Sequence, residues 1–141
     1  MLAGVATALK AIKPGIRVWG VETAGAHSMS QALQAGRPVD IDVSSIVSTL
    51  GVPIIDELMF AHARHYVEDM VVVPDEEAIK GMLSFAQGAR QWVELASGAL
   101  VPAVIATAPR LPADAVIGLV VCGGNISLQD MTKWAAHAGI S

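Results

Sequence analysis

The stretch VVCGGNISL, residues 120–128, decides how the rest of the chain is read. A β-branched run leads into a thiol, two glycines and an asparagine, and Ser127 then opens a helix-forming segment. Glycines at the carboxyl end of a buried strand let backbone approach something small and polar, and the next helix N-terminus offers N–H groups. The competing reading is a tight strand-to-helix turn that binds nothing.

The residues leading into this stretch, AVIGLVV at 115–121, are apolar throughout rather than alternating. IRVWGVE at 16–22 and DMVVV at 69–73 share that character. Continuous apolar strands belong to parallel sheets covered on both faces. Helical patterns lie between them. LAGVATALKAIKPG (2–15) is Ala-rich and stops at Pro14-Gly15. SMSQALQAG (28–36) has Ser28 as its expected N-cap and Gly36 as its stop. IDELMFAHARHYV (55–67) repeats apolar residues at helical spacing. Pro74-Asp75 opens a helix with acids in its first turn, predicted to run to Leu95 with a break near Gly88. A further helix is expected from Ser97-Gly98, and a last one over 127–139, capped by Ser127 and stopped by Gly139. RPVDIDVSSIVSTLGVPI (37–54) has no period and reads as a long loop, a kind often functional. The order predicts one α/β domain over 1–141: a three-layer αβα arrangement on a short parallel sheet of three strands.

Composition narrows the function classes. The 141 residues are 53% hydrophobic and 16% charged, with a net charge of −4. Mean hydropathy is +0.53 and the pI about 5.4. No basic cluster exists, so nucleic acid and anionic membranes are poor partners. Charges, Gly and Pro interrupt every apolar run before it spans a bilayer. The N-terminal lysines, Lys10 and Lys13, follow the apolar residues, the reverse of a secretory signal. One cysteine, Cys122, forms no internal disulfide and suits a cytoplasmic setting. The apolar excess calls either for strands buried on both faces or for a surface that expects a partner.

Three other groups carry candidate chemistry. Glu22, in VETAGAHS after the first strand, could join loop carbonyls and Ser28 in an oxygen site for a hard cation, or cap a neighbouring helix. His62 and His65 sit one turn apart, more consistent with a solvated face than with zinc. Glu94, in WVELASGA, faces a pocket or caps a helix. GxSxG, Walker A and GxGxxG motifs do not occur.

Four segments in this order resemble the C-terminal half of fold-type-II pyridoxal-phosphate enzymes of the threonine dehydratase, serine dehydratase and serine racemase family. They are MLAGVATALKAIKPGIRVWGVET, DMVVVPDEEAIKGM, WVELASGALVPAVIA and VVCGGNISL. The resemblance implies a partial large domain of that fold, with pyridoxal 5′-phosphate as cofactor in the full-length family. It puts Cys122 against the pyridine nitrogen, with Gly123, Gly124 and Asn125 beneath the ring. A neutral thiol there leaves that nitrogen unprotonated, a setting suited to β-elimination and racemisation. Glu94 matches a pocket-lining glutamate. The family's tetraglycine phosphate loop would end immediately before Met1, at the edge of the same site. Glu22 and the Ala26 carbonyl match two ligands of a divalent-cation site, whose third position falls at Ser28. The family's Schiff-base lysine and small substrate-binding domain fall outside the sequence, and Lys10, Lys13, Lys80 and Lys133 match other positions.

The resemblance thus implies the C-terminal portion of a threonine/serine dehydratase-like enzyme that removes water from hydroxy-amino acids when complete. By the same reasoning this chain alone would be inactive and hold no cofactor. Its expected partner is a second copy in a homodimer or a separate N-terminal half. An alternative is a stand-alone self-associating or partner-binding module without catalysis.

Overall fold

The computed structural model describes residues 1–140, and the chain divides into two compact units, Met1–Val72 and Val73–Ser141.

The first unit begins with α1 (Leu2–Ile12), followed by β1 (Trp19–Thr23) and α2 (Ser28–Ala35). It ends with α3 (Glu57–Tyr66) and β2 (Asp69–Val73). The strands pair as a short parallel two-stranded sheet. Helix α1 turns Ala3 and Ala6 inward and packs on α3, which buries Phe60 and Ala63. Such small residues let helix backbones approach closely. Gly20 serves the same end inside β1, since a Cβ there would overlap the side chains of Met70 and Leu2. The long loop contains one 3₁₀ turn, Ser48–Leu50. It is tied to Gly25, whose carbonyl accepts the N–H groups of Ser44 (2.9 Å) and Ser45 (3.4 Å). The Ser45 hydroxyl also meets Thr23 Oγ1 at 2.8 Å and accepts the Val47 N–H at 3.0 Å.

The second unit contains α4 (Asp75–Ser84), a π turn (Phe85–Ala89), α5 (Leu95–Gly98), α6 (Leu100–Thr107) and α7 (Leu128–His137). Ala78, Ile79 and Met82 of α4 are buried, as are Ala99 and Ala103 on the α5–α6 side. α4 packs on α5 and α6 at Gly81 and Gly98, where each glycine faces backbone of the other element. α7 also packs on α4. It starts with a capping box in which Ser127 and Asp130 satisfy each other's backbone N–H groups. Gly139 lies just past its end at φ 70°, as expected of a helix stop.

Several sequence expectations need correction. No strand forms over 115–121; among the described residues the sheet holds β1 and β2 only. Strand propensity is local, but a strand exists only through a ladder partner, and this segment has none. It lies largely exposed, with Val116 98% accessible. β1 begins at Trp19 rather than Ile16. Ser28 is the first residue of α2 and not its cap; His27 stands at the cap position and Glu22 supplies the acceptor oxygens. The helix from Pro74 stops in the π turn near the expected break and does not reach Leu95. The next helix starts at Leu95, ahead of Ser97.

Candidate functional site

The π turn ends at Arg90, a non-glycine residue with φ 56°, and the chain then crosses residues 91–94 without regular structure. Val93 is buried there, and Glu94 caps α5 by position. This brings 92–97 alongside 123–126. The Glu94 N–H donates to the Gly123 carbonyl at 3.0 Å. The Gly123 N–H donates back to Ser97 Oγ at 3.2 Å. The Ser97 and Gly98 N–H groups close the turn on the Glu94 carbonyl at 3.1 and 3.0 Å. Further along, the Trp92 indole N–H donates to the Ile126 carbonyl at 2.8 Å.

The Glu94 side chain lies directly on Gly123, where a Cβ would come 2.6 Å from the Glu94 carboxyl carbon. At Gly124, by contrast, a Cβ would meet only the Trp92 carbonyl oxygen, at 3.3 Å. The Ile126 N–H returns to the Gly124 carbonyl at 2.9 Å, closing a tight turn over 124–126 at the end of CGGN. Cys122, Gly124 and Asn125 are exposed around it. The predicted residues Glu94, Cys122, Gly123, Gly124 and Asn125 therefore fall in one neighbourhood. These bonds bear out the turn reading, and the turn leaves the backbone face of Gly124 open.

The sequence marks Ser97 only as a helix start, yet it is the buried hydroxyl that holds Gly123. Its signal is faint: a serine three residues after Glu94, at the spacing that puts both on one helical turn.

The remaining candidates belong to the first unit. Met1 is 77% exposed, at the N-terminal end of α1 in the first unit. Glu22 is 8% exposed, and both its carboxylate oxygens are engaged at the start of α2. One accepts the Met29 N–H at 2.9 Å; the other accepts the Ser30 N–H at 2.9 Å and its hydroxyl at 2.7 Å. Ala26 is fully buried in the same loop, its N–H bonded to the Thr23 carbonyl at 2.9 Å. Among the described residues no group of three His, Cys, Asp or Glu side chains is arranged to hold a metal ion. His62 meets Thr7 Oγ1 at 2.9 Å, and His65 packs edge-on against Tyr66.

Comparison with known proteins places this neighbourhood in context. Residues 1–123 match the family described as pyridoxal-phosphate dependent enzyme. The serine dehydratase-like protein of Mus musculus is 34% identical over all of this chain and 46% of its own length. The phenylserine dehydratase of Ralstonia pickettii is 28% identical over 99% of this chain and 42% of its own. Among solved structures, the T.th. threonine deaminase matches with a TM-score of 0.82 and 28% identity, covering 90% of this chain and 43% of that one. The maize serine racemase matches with the same TM-score and 27% identity, covering 97% and 44%. The chain spans less than half the length of each of these relatives. With its parallel strand pair matching part of the fold-type-II large domain, the chain belongs to the pyridoxal-phosphate-dependent enzyme family.

Proposed function

We propose that this chain forms the C-terminal portion of the large domain of a threonine/serine dehydratase-like enzyme, acting in a complete assembly on hydroxy-amino acids by α,β-elimination. The observation that carries the reading is the pair of hydrogen bonds fixing the CGGN turn beside Glu94. The residues fit one side of pyridoxal 5′-phosphate. Gly124 leaves its backbone face open, and the exposed Cys122 offers a thiol in place of a carboxylate. When bound, that cofactor supplies the electron sink for elimination. In this reading Cys122 contacts the ring nitrogen, the backbone of Gly123 to Asn125 lies along the ring, and Glu94 borders the pocket.

None of the four lysines lies within 92–97 or 122–125. Lys80 is paired with Glu77, and Lys133 lies over the Trp134 ring. The lysine that abstracts the α-proton therefore comes, in this proposal, from outside these 141 residues, and these residues alone perform no elimination. A cytoplasmic location and a homodimer go with the reading. The cation at Glu22 and Ala26 remains part of the proposal only if it displaces the three donors that now hold Glu22.

The test mixes this chain with the N-terminal half of the serine dehydratase-like relative and pyridoxal 5′-phosphate, and follows keto-acid release from serine and threonine. Activity in the mixture alone supports the proposal. Activity of this chain by itself, or none in a complex that forms, overturns it.

A further inference from the structure

We propose that Ser97 is a positioning residue for Cys122, setting the thiol's place by holding the peptide that follows it. The N–H of Gly123 belongs to the Cys122–Gly123 peptide bond, and it donates to Ser97 Oγ at 3.2 Å. The Gly123 carbonyl accepts from the Glu94 N–H at 3.0 Å and, at 3.5 Å, from the Ser97 hydroxyl. Gly123 is thus gripped at both polar groups by one turn of chain, 94–97. Ser97 is 4% exposed, and its bond to that N–H is part-buried, so losing the hydroxyl loses a bond shielded on one side from water. The grip is also directional. The Glu94 side chain lies over the Cα of Gly123 on one side. The Ser97 hydrogen bond fixes the orientation of the peptide plane that joins Cys122 to Gly123. A short hydroxyl suits the space; an alanine removes the acceptor of this part-buried N–H, and a longer polar side chain overfills the space.

This inference rests on the reading of Cys122 as the ring-nitrogen contact, and its own test needs no cofactor. The 141-residue chain is compared with Ser97→Ala and Ser97→Thr for iodoacetamide alkylation of Cys122 across neutral to alkaline pH. Amide deuterium exchange is followed in parallel. In Ser97→Ala, exchange of the Gly123 N–H is expected to speed up about tenfold, the loss of one net hydrogen bond. The alkylation profile of Cys122 shifts with it, exchange in α1 and β1 is unchanged, and Ser97→Thr restores both readouts. Unchanged exchange and alkylation in a folded Ser97→Ala chain would overturn the proposal. So would acceleration spread evenly over the chain, which marks a general loss of stability. A separate arm adds pyridoxal 5′-phosphate and the N-terminal half. Failure of the cofactor to protect Cys122 there, with the Ser97 dependence intact, sinks the cofactor reading and leaves the positioning role standing.

Discussion

Gly98 and Gly81 are where one atom matters most. A Cβ on Gly98 would run into the Ala78 carbonyl oxygen and come 2.6 Å from the Met82 nitrogen; one on Gly81 would strike the Gly98 carbonyl oxygen. These neighbours are backbone atoms inside packed helices, and helix backbone cannot give way as a side-chain tip can. Gly98→Ala is therefore expected to destabilise the folded chain by about 3 kcal/mol, although alanine is the better helix former. Urea unfolding measures it, and a loss no larger than that of an exposed Gly4→Ala control would refute the account. Glu94 and Gly123 show the milder version. There the obstacle is a carboxylate that can swing aside, so Gly123→Ala chiefly displaces Glu94. The same site thus tolerates a methyl group in stability while losing the placement of its acid.

Between elements, the ends of α1 and the sheet are tied through Glu68. Its carboxylate accepts from Arg17 Nε at 2.7 Å and lies 3.9 Å from Lys10 Nζ, while Arg17 stacks over the Trp19 ring. The Arg17 hydrogen bond, against a small opposing effect of burial, holds the Glu68 carboxyl below its ordinary 4.5. A carboxyl lowered in the folded state adds stability above its unfolded value and loses it as pH falls through the folded one. Both groups are more than a third exposed, so the contribution is roughly 0.5 kcal/mol after screening. Relative to Glu68→Gln, the wild-type chain should gain that amount as pH rises through the acid range and stay level above about pH 5. Urea midpoints at a series of pH values check this, and parallel curves for the two proteins would sink it.

The elements with strong local signals were legible in the sequence: α1, α3, β2, the body and Gly36 stop of α2, the start of α4 and the Ser127 cap of α7 all stand where local signals put them. What escaped was decided by distant partners. The segment 115–121 carries every local mark of a strand and lacks a ladder partner. Glu22 caps α2 from the preceding strand, displacing Ser28 from that role. At the site, CGGN and Glu94 were readable as motifs, but Ser97 and Gly123 meet across 26 residues, and no local pattern encodes that hydrogen bond.

For the chain as a whole, the unpartnered apolar segment is the feature with the largest consequence. Val116, Ile117, Leu119, Val120 and Val121 are exposed almost consecutively, and they form no ladder with β1 or β2. Contiguous apolar backbone with open N–H and C=O groups pairs with whatever strand it meets. Few charges oppose this, since only 16% of residues are charged. The commonest closed solution is a two-fold dimer, in which the same stretch of each copy covers the other. We therefore expect the chain to sediment at about twice its 14.6 kDa at micromolar concentration. Val120→Lys, which plants a charge in the middle of the segment, should return it to a single 14.6 kDa species without altering helix content. A wild-type chain that already sediments as one 14.6 kDa species would refute the prediction. A dimer indifferent to Val120→Lys would place the interface on another surface. If the N-terminal half of a relative dissolves the wild-type dimer while restoring catalysis, the two partners compete for this segment, and self-association is what the chain does when its complement is missing.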